Sequence, residues 1–326
     1  MHLNPFPDTL QHHGKGPKHI GPPFNTLAEF WRAQYGTKVQ KIAIDAGMGC
    51  PHRKDRRENG GCIYCDEHGS GSINIRSEIH VQSQLHKGVE SMLGRNRAEK
   101  FFSYLQSFTN TFLPAEQLRP IYEAAIDHPD VVGLSIGTRP DLLPPKTLDL
   151  LSEMNERTDL YLELGVESFH EDTLKWMNRA HPIEKTFQAL ENLKKRKIKT
   201  VVHLILGSPT DPIDSHLKSV EFINHYGVNG VKLHNLAIIR TSQLEALWKK
   251  SPFPLLTLKS YLNQVIELLE RIPPSVVVHR THCVVDRPEN LIAPPWSGTE
   301  RMARPKDLLI QEMRARGTWQ GRLYPL

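Results

Sequence analysis

The chain holds 326 residues, 39% of them apolar and 24% charged, with a formal net charge of +5 and a sequence pI near 8.9. That length allows one large α/β domain or two smaller ones, and the apolar fraction suits an ordinary soluble core. No run approaches the apolar length that a membrane-spanning helix requires, so no membrane is expected, and so mild a charge excess identifies no partner.

Residues 1–36 read as an irregular lead-in, with Pro5, Pro7, Pro17, Pro22 and Pro23 and no hydrophobic signal core, so a cytoplasmic location is expected. Lys41 to Asp45 is a short apolar strand, followed directly by a glycine- and cysteine-rich loop and an amphipathic helix from about Glu78 to Leu93. The pattern then alternates. Strands are expected at Lys100–Gln106, Val131–Ile136, Leu160–Val166, Thr200–Leu206 and Val231–Leu236. Helices are expected at Ala115–Asp127, Pro144–Glu156, Glu171–Met177, Pro182–Lys195 and Asp214–Tyr226, the last capped by Asp211 or Asp214. Six strands separated by helices imply parallel βαβ units curling into an open, partial (β/α)6 barrel over residues 37–240. From 241 to 326 the grammar changes. A strong amphipathic helix (Thr257–Arg271), a short strand (Val276–His279), a Pro294-Pro295 break and a last helix (Asp307–Arg316) read as an extension capping the barrel.

Three of the 4 cysteines form one run, Cys50, Cys62 and Cys65, spaced C-x11-C-x2-C. Three thiolates on an iron–sulfur cube leave one iron open to another ligand. Zinc is the competing reading, with His52 or His68 closing a tetrahedral set. Two cysteines two apart also occur in thioredoxin-type redox sites. A disulfide suits neither an odd cluster nor the missing secretory signal. Gly47, Gly49, Gly60, Gly61, Gly69 and Gly71 let the loop turn tightly and bring N–H groups to anionic sulfur. Arg53, Lys54, Arg56 and Arg57 make the same loop a solvated turn or a basic lip for a phosphate-bearing substrate. Lys194, Lys195, Arg196, Lys197 and Lys199 end a helix, where positive charge is favourable in any case.

With Tyr64 preceding the last cysteine, and with the segments QSFTNT, GTRPD and LGVESFHEDTLKWMNRAH, the chain resembles the radical S-adenosylmethionine (SAM) superfamily. Within it the chain is similar to the YhcC family, which is related to the branch of the elongator catalytic subunit. The resemblance runs from about Phe24 into the C-terminal region. It implies a [4Fe-4S] cluster on Cys50, Cys62 and Cys65, SAM chelated at the open iron, and reductive cleavage of SAM to a 5′-deoxyadenosyl radical. The usual superfamily spacing is C-x3-C-x2-C, and the long first gap is a departure shared with those two branches.

The resemblance also implies cofactor contacts. Gln106 and Ser107 stand where the superfamily carries a Gly-Gly-Glu-like motif on the SAM amino group. Glu167, in Gly165-Val166-Glu167-Ser168, stands where relatives place a glutamine, and keeps an acceptor oxygen for a ribose hydroxyl. Arg179 aligns with an arginine near the SAM carboxylate. Gly137 replaces a glutamate, which leaves Thr138, Glu163 or Glu167 for the ribose. No catalytic side chain is assigned. Cys283 reads as a small buried residue, or as a hydrogen-atom donor or substrate neighbour. His203 reads as structural. A reducing partner such as flavodoxin or ferredoxin is expected, and the elongator-like motifs suggest tRNA, with a wobble-uridine side chain as substrate. A small molecule such as a tetrapyrrole, and a non-enzymatic iron–sulfur or zinc protein, are the alternatives.

Overall fold

Seven parallel strands, each alternating between an apolar face and a mixed one, frame the molecule. The computed structural model describes residues 21–54, 60–66, 69, 80–95, 97–285, 288–297 and 304–325. Chain order is α1 (Leu27–Tyr35), β1 (Val39–Ile44), α2 (Val81–Gly94), β2 (Lys100–Leu105), α3 (Ala115–Ile126), β3 (Val131–Thr138) and α4 (Pro145–Arg157). Then come β4 (Asp159–Glu167), α5 (Glu171–Trp176), α6 (Ile183–Lys195), β5 (Lys199–Leu206), α7 (Ser215–Tyr226) and β6 (Gly230–Asn235). The C-terminal part adds β7 (Ile238–Ile239), α8 (Gln243–Lys250), α9 (Leu258–Arg271), β8 (Val277–Arg280), β9 (Leu291–Ala293) and α10 (Pro305–Ala315).

The sheet order is β1-β2-β3-β4-β5-β6-β8, an open half-barrel with one strand more than the alternation predicts. The additional strand is β8, from the segment read as an extension. It pairs in parallel with β6, Gly230 opposite Val277 and Lys232 opposite Arg280. Four residues are too few for a period to reveal which sheet they join. The rest of the extension is packed on the barrel. α9 lies against α7, α10 lies against α9, and β7 pairs with β9 in a small antiparallel ribbon. Asp214 stands at the N-cap of α7 without a side-chain bond, while Asp211 accepts from Ser208 N (3.1 Å) and Thr173 Oγ1 (2.7 Å).

Because side chains alternate along a strand, the two faces have separate fates. Ile42, Leu105, Leu134, Leu162, Leu204 and Leu233 point outward into the main core beneath the helices. The inward face starts apolar. Val39, Phe102, Tyr161 and Val201 form a second cluster near the strand starts, with Trp31 of α1 stacked on Phe102 at 4.3 Å between ring centroids. One layer further along, the inward residues are Lys41, Tyr104, Glu163, His203 and Lys232.

The expected irregular lead-in therefore contains a helix. Its first 20 residues lie outside the described ones, but α1 packs on both edge strands, β1 and β8. Thr26 caps it: its hydroxyl accepts from Glu29 N (3.3 Å) and donates to Glu29 Oε2 (3.1 Å). Thr26→Ala is expected to lower the unfolding free energy by about 1 kcal/mol. Urea unfolding checks this, and an unchanged midpoint would contradict it. Among the described residues no helix is long and apolar enough to cross a membrane.

Candidate functional site

The C-terminal ends of the seven strands open on one cavity of about 250 Å³. All three clustered cysteines line it. β1 delivers the first: after Ile44 the chain turns at Asp45, whose Oδ1 accepts from Gly47 N (2.9 Å), with Gly47 at φ +70°. Gln84 of α2 clamps that turn by bonding both the N–H and the carbonyl of Asp45 (3.0 and 2.8 Å). The second and third cysteines share a tight turn, Cys65 N donating to Cys62 O at 3.1 Å. Ile63 fastens the turn on two sides, through Met177 O (3.1 Å) after α5 and Leu244 N (2.8 Å) of α8.

Arg179 joins this turn to β4. Its Nη1 donates to Cys62 Sγ (3.4 Å) and to Tyr64 Oη (3.1 Å), and its Nη2 donates to the carbonyl of Gly165. A hydrogen bond with Cys65, together with the Arg179 and Arg139 charges, holds the buried Cys62 thiol well below its usual range, against the opposing effect of burial. Thiolate is the form that ligates metal. Glu167 ends β4 in left-handed backbone, φ +66°. Burial pushes its carboxyl up to about 7, with Arg179 opposing. A Cβ on Gly165 would lie 2.6 Å from Glu167 Oε1, so glycine is what permits the carboxyl to fold back there.

Gln106 is on the cavity wall beside the cysteines, as are Glu167 and Arg179. Ser107 is not. It is buried off the wall, and its carbonyl accepts from Asn110 Nδ2 (3.2 Å), which also ties Leu105 and Gly137 carbonyls (both 3.0 Å). Asn110 thus organises the QSFTNT loop, in which Gln106 lines the cavity and Ser107 does not. Thr138 is on the wall, but its hydroxyl is engaged with Thr111 (2.5 Å). Glu163 is also on the wall, where it is bound by cations. The basic lip is also corrected in part. Arg53 is buried, donates to Asp66 O (2.5 Å) and stacks over Phe108 (5.2 Å). Arg56, Arg57 and His68 lie outside the described residues.

Sequence reasoning missed Arg139. Its Nε and Nη2 grip both oxygens of Asp141 at 3.0 Å, and its buried Nη1 has no partner among the described residues. The Arg-x-Asp spacing in GTRPD was the available signal. Arg179 likewise keeps a buried Nε without a partner. Buried guanidinium N–H groups left unpaired on a cavity wall call for an anionic ligand. A [4Fe-4S] cluster and the carboxylate of SAM fit this donor set: three thiols for the one, two arginines for the other. Among the described residues no three His, Cys, Asp or Glu side chains converge as a single ion requires. A cube held at separate corners makes no such demand.

The cavity's inner end is a buried ion cluster. Glu163, fully buried, receives Lys41, Lys232 and His203 Nε2 (3.0 Å), and Lys232 Nζ also donates to Tyr104 Oη (3.0 Å). Burial holds His203 down to about 4, hence neutral. Burial pulls Lys232 down to about 7, against the upward pull of Glu163. Cys283 lies on the wall after β8, its thiol pushed up to about 11 by burial and so kept protonated.

Comparison with known proteins agrees with this geometry. The family described as the radical SAM superfamily matches residues 48–223, and the Radical_SAM C-terminal domain matches residues 228–310. The chain is 34% identical to the uncharacterized protein YtqA of Bacillus subtilis over 302 residues, 92% of each chain. It is 32% identical to the protein YhcC of Escherichia coli, over 81% of this chain and 84% of that one. Its fold is similar to the solved structure of the archaeal Methanocaldococcus infernus Elp3, with a TM-score of 0.67 at 17% identity, covering 86% of this chain and 64% of that one.

Proposed function

This chain belongs to the radical SAM superfamily, and from that premise we propose that it is an RNA-modifying enzyme whose substrate is a tRNA wobble uridine. Cys50, Cys62 and Cys65 are the residues that would hold the [4Fe-4S] cluster. Arg139 and Arg179 would take the SAM carboxylate, with Gln106 and Glu167 as polar contacts. When bound, these groups supply one-electron cleavage of SAM and a 5′-deoxyadenosyl radical that takes a hydrogen atom from an unreactive carbon. The chain's own residues bind, orient and exclude water. Arg179 fixes the cysteine turn against β4, Asn110 shapes the adjoining loop, and Ile238 of β7, Ala293 of β9 and Leu244 of α8 pack with Ile63 in one apolar cluster behind the turn.

The observation that carries the reading is the union on one wall of three thiols and two guanidinium groups with buried, unpartnered N–H donors. The RNA part is supported by the elongator-like segments GTRPD and LGVESF, and an unstacked wobble base is the kind of target such a cavity can admit. A cytoplasmic flavodoxin or ferredoxin would supply the electron. The test is mass spectrometry of nucleosides from total tRNA of the host, with and without this gene. One uridine derivative is expected to vanish while its precursor accumulates. An unchanged profile overturns the RNA substrate.

A further inference from the structure

The inner end of the cavity holds more positive charge than the protein neutralises. Lys41 and Lys232 share the single carboxylate of Glu163. Arg280, the last residue of β8, is on the same wall, and among the described residues nothing accepts a hydrogen bond or an ion pair from it. Its field is nevertheless felt across the chamber. It opposes the charged forms of Lys232, His203 and His234, and favours the thiolate of Cys283 against burial. A half-buried guanidinium that faces the cavity with no partner among the described residues, beside a buried lysine, is a place where a ligand can supply the counter-charge.

The geometry says where that counter-charge would sit. Lys232 and Arg280 are register partners on adjacent parallel strands, and both side chains reach the cavity. A lysine ammonium has three donors. Two of those on Lys232 go to Glu163 and Tyr104, which leaves one. Arg280 offers a planar fork beside it, suited to two oxygens at once. The Glu167 carboxyl is committed to the Arg179 end of the cavity and does not serve this one.

We propose that Arg280 and Lys232 form a binding subsite for an oxyanion of the substrate, a carboxylate or a phosphate, at the inner end of the cavity. The inference rests on this cavity being the reaction chamber of a radical SAM enzyme, and not on the substrate being RNA. A carboxylate would belong to the group under reaction, whereas a phosphate would belong to the nucleotide carrying it.

The test is calorimetric titration of the holoenzyme, cluster-loaded, oxidised and saturated with SAM, using uridine, 5-carboxyuridine and uridine 5′-monophosphate, with acetate and inorganic phosphate as nucleoside-free oxyanion probes that decide the subsite should uridine itself not bind. One anionic probe is expected to bind at least about tenfold more tightly than uridine, and which one does so identifies the source of the oxyanion. Arg280→Gln is expected to reduce that preference to within about twofold, and Arg280→Lys to retain part of it. Cluster absorbance and circular dichroism report whether each variant is loaded and folded. Should Arg280→Gln not load, the reading moves to Arg280→Lys, which must still weaken the anionic probe relative to uridine. Three results overturn the subsite: no anionic preference in the wild type, a preference undiminished by the variants, or a loss confined to SAM affinity. Each is separable from a failed tRNA profile, because none requires RNA.

Discussion

Cys62→Ala is expected to give a folded chain that retains no complete cluster and produces no 5′-deoxyadenosine from SAM. The effect is all-or-none because a cube held by three corners has no spare ligand. Among the described residues the remaining cysteine, Cys283, is on another part of the wall, beyond β8, with its sulfur held protonated. The fold should survive. Cys62 lies in a turn fastened by backbone bonds through Ile63 and Cys65, and the substitution removes one sulfur from a buried position, at roughly 1 kcal/mol. Arg179 loses one acceptor and keeps Tyr64 and Gly165. Iron and sulfide content after anaerobic reconstitution, together with product formation, measure the outcome, and Cys283→Ala is the control that should keep its cluster. Full SAM cleavage by Cys62→Ala would refute the ligand assignment. Zinc in tetrahedral coordination in the wild-type protein would remove the cluster altogether.

Much of this architecture was legible because the outward strand positions repeat. Ile42 and Ile44, Leu134 and Ile136, and Leu162 and Leu164 alternate with non-core residues, and helices of regular length intervene. The cysteine spacing singled out the loop that reaches the cavity, for a chemical reason that needs no fold. What escaped was whatever depends on closure. Thr26 and Glu29 spelled a helix start in plain sequence, but a segment preceded by many prolines reads as loop until the gap between β1 and β8 is there for α1 to fill. Ser107 looked as available as Gln106. Only the turn that Asn110 imposes sends one to the wall and the other away from it. Arg139 and Arg280 are ordinary strand-end arginines in a sequence. That Arg139 keeps a buried Nη1 unpaired beside its Asp141 bridge, and that Arg280 has no partner among the described residues, are properties of three-dimensional surroundings. The interior ions were half visible, since Lys41, Glu163, His203 and Lys232 each interrupt an apolar strand. Alternation puts such residues on one face of each strand, but it does not say that the faces converge.

That convergence makes Glu163 the residue whose loss should hurt stability most. Its side chain is fully buried beneath Lys41, Lys232 and His203. Removing one member of a buried ion cluster leaves the others charged and unpaired, at a cost of about 3–5 kcal/mol. Glu163→Gln keeps the volume and loses the charge, and its new amide turns a donor toward two ammonium groups. The pH dependence follows from the directions of the shifts. Burial pushes the Glu163 carboxyl up, but Lys232, Lys41 and His203 together pull it well below the usual carboxylate range. A depressed carboxyl contributes stability above its unfolded value of about 4.3, and that contribution fades as pH falls through the folded value. Lys232 works the other way. Folded at about 7 against about 10.4 unfolded, it binds fewer protons in the native state across that interval, so wild-type stability rises with pH there. Once Lys232 is neutral it no longer needs the carboxylate. The deficit of Glu163→Gln should therefore be larger at about pH 6 than at about pH 9, and should narrow again as pH falls below the unfolded carboxyl value of about 4.3 toward the depressed folded one. Urea unfolding of both proteins across this pH range measures it. A deficit below about 1 kcal/mol at pH 6, or one that grows from pH 6 to pH 9, would mean that the cluster is hydrated well enough to do without its carboxylate.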